Sequence, residues 1–165
     1  ENRVQEADIK FKDLRKIYTD VELHLTGPLQ TNKVKKAIDI FDVFQTLDRK
    51  KLADEFSKHI VKLKNKKFFI QINTGKEKNK SGIFLEEADD FIIYCRDKLC
   101  LNIVGLMCIP PINEKPENHF QMLREIAKKI NLLCLSMGMS DDYKIAIKEG
   151  ATHLRIGTLL FGKRA

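Results

Sequence analysis

Two periods of apolar residues alternate along this chain, one typical of strands and one typical of helices. Short apolar or β-branched runs predict six strands, at residues 21–26, 41–46, 68–73, 101–109, 132–135 and 154–156. Strict alternation of strands with helices favours a parallel sheet, either a closed barrel or a doubly wound open sheet. The pattern alone does not choose between these two architectures.

The segments between the strands carry apolar residues at helical spacing. The first predicted helix passes through Val4, Ala7 and Phe11, with Asn2 as its N-cap and Gln5 at the matching position of a capping box. Further helices are predicted from residue 31 or 32, and over residues 48–64, 86–98, 118–130 and 143–150. Because the chain opens on a helix start, we expect that a strand precedes it and that the chain is truncated at its N-terminus.

Two glycine turns near the end of the chain form the candidate functional site. In the first, Gly138 allows a positive φ angle or close approach of a ligand, and Ser140 can cap a helix whose first turn holds Asp141 and Asp142. The second turn, at Gly157, follows the next strand. In eight-stranded α/β barrels the loops after the last two strands are a frequent phosphate site. Each glycine alone could serve a tight turn, but the pair favours a phosphate.

Composition is compatible with one domain spanning residues 1–165. The chain is 43% hydrophobic and 32% charged, which is enough for a core and shows no bias typical of disorder. We find no apolar run of membrane-spanning length and no signal-peptide pattern, so we expect a soluble cytoplasmic protein. The cysteines lack CxxC spacing and are expected to be reduced core thiols, with no metal site: Cys95, Cys100, Cys108 and Cys134.

The net charge of +7 raises the question of nucleic-acid binding. The densest lysine cluster, at residues 58–67, has no interleaved aromatic residues for base stacking. A solvated helix face is therefore favoured, and we expect no nucleic-acid partner. Some of the excess charge can attract phosphorylated ligands.

Seven segments closely resemble the YggS/PROSC family, the pyridoxal-phosphate homeostasis proteins. They occur in one order and at compatible spacing over essentially the whole chain: ENRVQE at residues 1–6, LHLTGPLQTNK at 23–33, QINTG at 71–75, KSG at 80–82, GLM at 105–107, SMGMS at 136–140, and RIGT at 155–158 with FG at 161–162. Thr26, Pro28 and the run from Gln45 to Arg49 depart from the family pattern, which puts the role of the pocket rim in doubt.

The resemblance implies a fold and a function. The fold is a (β/α)8 TIM-type barrel of the alanine racemase N-terminal type, here missing the first strand, the first helix and most of the second strand. The function is binding of pyridoxal 5'-phosphate (PLP) in intracellular PLP homeostasis, without catalytic turnover. The lysine that forms the Schiff base is expected upstream of this chain. PLP-dependent apo-enzymes are the implied partners, and we expect a monomer without a membrane partner.

The resemblance also implies the residues of the cofactor site. Ser140, Gly157 and Thr158 hold the phosphate through backbone N–H groups and hydroxyls, and Met139 and Gly138 shape the loop.

Arg155 is expected to face the pyridine nitrogen, which it keeps unprotonated because a guanidinium has no acceptor. The alternative for Arg155 is a structural salt bridge. Asn2 matches the family's asparagine near the cofactor ring, although it fits equally well as a helix N-cap. His24 and Met107 are expected to pack near the pocket.

A PLP-dependent racemase-like enzyme, or another phosphate-binding barrel enzyme, is the alternative function. Racemisation needs a second base opposite the lysine, which alanine racemases supply as a tyrosine from another domain. The tyrosines of this chain all lie on predicted helices: Tyr18, Tyr94 and Tyr143. The sequence therefore favours a binding protein over an enzyme.

Overall fold

The computed structural model describes residues 1–162, whose strands form one seven-stranded parallel sheet. Along the sheet the order is β1-β2-β3-β5-β6-β7, and the short β4 pairs with β3. The strands are β1 (His24–Leu25), β2 (Val43–Leu47), β3 (Lys67–Asn73), β4 (Ile83–Phe84), β5 (Ile103–Cys108), β6 (Cys134–Met139) and β7 (His153–Arg155). Each of the predicted strands is present, and β4 was not predicted.

Helices connect the successive strands, except that a loop over residues 74–82 joins β3 to β4. They are α1 (Val4–Ile17), α2 (Val34–Ile40), α3 (Lys50–Ser57), α4 (Ala88–Ile93), α5 (Pro116–Lys129), α6 (Tyr143–Lys148) and α7 (Thr158–Phe161). Short 3-10 turns lie at Thr31–Lys33, Ile60–Leu63 and Leu85–Glu87, and a π-helical turn at Tyr94–Lys98 continues α4. No helix within residues 1–162 is long and apolar enough to cross a membrane.

Side-chain contacts across the sheet show that it is strongly curved. Ser136 on β6 donates to Gln45 on β2 over 2.5 Å, although β3 and β5 lie between these strands. The rings of His24 on β1 and His153 on β7 have centroids 5.9 Å apart, although these strands lie at opposite ends of the strand order. The sheet therefore encloses an interior, which confirms the predicted barrel-type architecture and rules out a doubly wound open sheet.

Apolar side chains fill both faces of the curved sheet. Between the sheet and the helices, Phe44, Phe56 and Phe68 pack with ring centroids 4.8 to 5.3 Å apart. Inside the barrel, Phe69 and Met107 are buried in a smaller cluster with Val43. Because consecutive residues of a strand point to opposite faces, Phe68 and Phe69 contribute to different layers.

The predicted capping box at the start of α1 is wrong. Helix α1 begins at Val4 after Arg3, and no side chain caps it. The Asn2 side chain instead accepts a hydrogen bond from the Thr26 hydroxyl over 2.7 Å. Glu1 is bound along β1, since its N-terminal amine donates to the His24 carbonyl and its carbonyl accepts from the Thr26 N–H. This pairing directs Asn2 toward the strand end and away from the helix.

The single helix predicted over residues 48–64 is also wrong. Helix α3 ends at Ser57, and a 3-10 turn over Ile60–Leu63 follows it. Leu63 is buried, but Ile60 is 42% exposed, so the buried apolar stripe does not continue through this turn. The break lets the chain turn back toward the start of β3.

Candidate functional site

The loops that follow β6 and β7 lie side by side at one edge of the sheet. Met139 and Arg155 are paired in the parallel register of these strands. Beyond them, the Leu159 N–H donates to Ser140 Oγ over 3.1 Å. Since the Ser140 hydroxyl accepts in this bond, its own hydrogen remains available to a further acceptor. The structure thus brings Ser140 together with the loop of Gly157 and Thr158.

Packing explains the glycine of the first loop. Gly138 has a φ of +92°, and a Cβ atom there would lie 2.5 Å from the Ala146 Cβ atom. The same loop is fixed by Asp142, whose carboxylate accepts from the Met139 N–H over 2.6 Å. Helix α6 begins only after Asp142, so the predicted N-cap at Ser140 is wrong. The extension of β6 to Met139 and the bond from the Met139 N–H to the Asp142 carboxylate shift the helix start.

The glycine of the second loop has a different environment. Gly157 has a φ of −125° and a ψ of −72°, outside the helical and extended regions, and a Cβ atom there would meet nothing within 4 Å. The backbone hydrogen bonds of residues 1–162 include none with the N–H of Gly157 or Thr158 as donor. Packing therefore does not require glycine here. Open space beside unused N–H groups is the arrangement that an anion needs.

Arg155 lies at the end of β7 and is held by two hydrogen bonds. Its Nη1 donates to Ser136 Oγ and its Nη2 to the Cys108 carbonyl, each over 2.8 Å. No carboxylate of residues 1–162 forms an ion pair with it, so the salt-bridge alternative finds no support among these residues. Burial lowers the pKa of Arg155, against the opposing effects of Cys108 and Asp142. A guanidinium nonetheless stays protonated at neutral pH, and the two bonds use two of its five N–H donors.

A polar chain inside the barrel supports Arg155. Ser136 donates to the Gln45 carbonyl oxygen, and the Gln45 amide nitrogen lies 2.8 Å from His24 Nδ1. Sequence reasoning did not identify Ser136 or Gln45 as site residues. The period of two along β6 was the available signal, because it places Ser136 on the face opposite Leu135 and Met137, which belong to the main apolar core.

The structure does not place Asn2 at the phosphate loops. Asn2 lines a cavity of about 730 Å³ together with Thr26 and Arg49, and a neighbouring cavity of about 330 Å³ shares Thr26 with it. Both lie at the carboxyl end of β1, and their walls include none of the residues of the two glycine loops. Met107 is fully buried in the interior cluster, and His24 contacts Gln45 and Glu22.

The four cysteines are free thiols, but Cys100 is exposed, so the expectation of a core thiol is wrong at that position. Cys95 and Cys108 are buried, and this burial raises the pKa of each to about 12. Both thiols are therefore protonated and poor nucleophiles at neutral pH. Within residues 1–162, His, Cys, Asp and Glu side chains form no group that could hold a metal ion.

Comparison with known proteins identifies the family of this chain. The family model for the alanine racemase N-terminal domain matches residues 1–165. The pyridoxal phosphate homeostasis protein of Aquifex aeolicus is 42% identical over 174 residues, which cover 99% of this chain and 75% of that protein.

Two solved structures of PipY from Synechococcus elongatus are also similar. The structure without PLP has a TM-score of 0.84 at 34% identity and covers 98% of this chain and 80% of PipY. The structure with PLP bound has a TM-score of 0.78 at 32% identity and covers 98% of this chain and 79% of PipY. The chain therefore belongs to the alanine racemase N-terminal domain family and, within it, to the pyridoxal phosphate homeostasis proteins.

Proposed function

We propose that this protein binds PLP reversibly and acts in intracellular PLP homeostasis without catalytic turnover. The similarity to PipY with PLP bound supports this function. The observation that carries it is Arg155, whose guanidinium has no carboxylate partner within residues 1–162 and whose strand leads directly into the open loop of Gly157 and Thr158.

The phosphate of PLP fits the two joined loops. The N–H groups of Gly157 and Thr158 and the hydroxyls of Thr158 and Ser140 are the donors that would hold it. Gly138 and Met139 act indirectly, since they fix the loop that carries Ser140. The missing side chain at Gly157 leaves room where a phosphoryl oxygen would approach the backbone.

Arg155 would bind the ring nitrogen. PLP supplies a reactive aldehyde on a ring that withdraws electrons, and this withdrawal is strongest when the ring nitrogen is protonated. Arg155 can only donate a hydrogen bond, so it keeps this nitrogen unprotonated. The guanidinium therefore favours retention of the cofactor over carbanion chemistry.

The tyrosines offer little support for a racemase. The Tyr94 phenol donates to Asp54 over 2.5 Å, and this bond raises the pKa of Tyr94, the opposite of what a catalytic tyrosine base requires. Tyr18 follows the end of α1 and is 55% exposed. Tyr143 begins α6 after the β6 loop and is the tyrosine to substitute in a turnover assay.

A titration tests this function. PLP is added to the protein with and without inorganic phosphate, and its absorbance is followed, also in the presence of an amino acid. We expect reversible binding that phosphate competes away, with no racemisation. Binding that resists phosphate and is fixed by borohydride to a lysine of this chain would contradict the proposal, and clear turnover lost in Tyr143→Phe would favour the enzyme.

A further inference from the structure

A chain of hydrogen bonds crosses the barrel interior from Arg155. The Arg155 guanidinium contacts Ser136 over 2.8 Å, Ser136 contacts Gln45 over 2.5 Å, and Gln45 contacts His24 over 2.8 Å. These side chains come from four strands, β7, β6, β2 and β1. Ser136 is fully buried and Gln45 is 3% exposed. If the hydrogen bond between them were broken, each would keep a buried polar group with no hydrogen-bond partner from water.

The chemistry of the groups fixes the direction of the bonds. A guanidinium only donates, so the Ser136 oxygen accepts from Arg155 and its single hydrogen goes to the Gln45 carbonyl oxygen. The Gln45 amide nitrogen then donates to His24 Nδ1, which must carry no hydrogen. His24 Nε2 carries the hydrogen instead and faces the Glu22 carboxylate at 3.1 Å. This single assignment of hydrogens thus gives every side chain of the hydrogen-bond chain a matching donor or acceptor.

We propose that Ser136 and Gln45 are positioning residues that orient the Arg155 guanidinium toward the ring of bound PLP. This inference rests on the proposed function. The Ser136 bond and the Cys108 carbonyl hold the two terminal nitrogens of Arg155, and Gln45 prevents the Ser136 hydroxyl from rotating. An arginine fixed in this way loses less rotational freedom when it binds a ligand, which increases affinity without a new contact.

A purely structural role makes a different prediction. If Ser136 and Gln45 only stabilise the barrel, their loss weakens binding of the PLP ring and binding of the phosphate equally. If they position Arg155, their loss weakens contacts to the ring and leaves the phosphate loops intact, because Ser140 and Thr158 hold the phosphate independently of the interior chain.

The direction of the hydrogen bonds from Arg155 to His24 can be tested without PLP. Nitrogen-15 NMR of His24 in the ligand-free protein should show a bare Nδ1 and a hydrogen on Nε2. In Gln45→Glu the carboxylate only accepts, so the hydrogen should move to Nδ1. Gln71→Glu is the matched control, because Gln71 is also buried but donates to the Ser81 carbonyl. A hydrogen on Nδ1 in the unaltered protein would overturn the assignment.

The positioning role is tested by comparing two ligands. In Gln45→Met and Ser136→Ala we expect PLP affinity to fall about tenfold, with a shifted absorption band, while the affinity for inorganic phosphate is unchanged. Gln71→Met should keep both affinities. An equal loss for both ligands, or no loss for PLP, would overturn the proposal. If Ser136→Ala does not fold, Gln45→Met decides the question.

Failure of the proposed function gives a different result. If the unaltered protein binds phosphate but not PLP, the function is wrong. The His24 nitrogen signals would still report whether the hydrogen-bond chain runs from Arg155 to Glu22.

Discussion

The N–H of Leu159 donates to the hydroxyl of Ser140 over 3.1 Å and joins the loops after two neighbouring strands. Ser140 follows β6 and Leu159 follows β7, so the bond spans the edge of the sheet. It holds two sets of phosphate donors at a fixed separation before a ligand arrives. Such preorganisation lowers the entropic cost of binding.

Replacing Gly157 with alanine should weaken ligand binding without destabilising the fold. A Cβ atom there meets no other atom within 4 Å and the φ angle is negative, so the melting temperature should change little. The methyl group would occupy the space proposed for the phosphate, and we expect about tenfold weaker PLP binding, or roughly 1.4 kcal/mol. Thermal melts and a PLP titration measure both effects. Unchanged affinity would place the phosphate elsewhere.

The same substitution at Gly138, by contrast, should destabilise the fold. Alanine at Gly138 combines a φ of +92° with a Cβ atom 2.5 Å from that of Ala146. We expect the free energy of unfolding to fall by about 1–3 kcal/mol, as measured by urea denaturation. The double variant Gly138→Ala with Ala146→Gly relieves the contact with the Ala146 Cβ atom but keeps the backbone strain, so comparing it with Ala146→Gly alone separates the two causes. A Gly138→Ala protein as stable as the original would show that the loop adapts.

Buried thiols should make stability fall at alkaline pH. Burial raises the pKa of Cys95 and of Cys108 to about 12, above the ordinary value of 9.0 for a thiol. The unfolded chain therefore loses these protons first, so the contribution to stability is complete below pH 9 and is lost as the pH rises toward 12. Urea denaturation across this range measures the slope, which should flatten when both residues are alanine. An equal dependence of stability on pH in the original protein and in the alanine variant would contradict this prediction.

Exposure should determine which cysteine reacts first. Cys100 is exposed, whereas Cys95 and Cys108 are buried and protonated at neutral pH. A thiol reagent at pH 8 should modify Cys100 rapidly and the two buried thiols only after unfolding. Peptide mapping by mass spectrometry after a short exposure gives the order. Early modification of Cys108 would show that the barrel opens readily.

The local pattern of apolar and polar residues predicted the strands, because each predicted strand is a short apolar run that ends in polar or small residues. It missed β4, which is two residues long and too short to have a period. It misplaced the cap at Asn2 because a tertiary hydrogen bond from Thr26 competes with helix capping. Contacts such as that from Ser136 to Gln45, 91 residues apart, depend on the curvature of the sheet, which no local pattern encodes.

The central claim concerns where the phosphate binds, and amide NMR tests it most directly. PLP and inorganic phosphate are each added to nitrogen-15-labelled protein, and the backbone N–H signals are followed. We expect the largest shifts at Gly157, Thr158 and Leu159 with both ligands. Shifts centred instead on Thr26 and Ser81, in the cavities beside β1, would contradict the account.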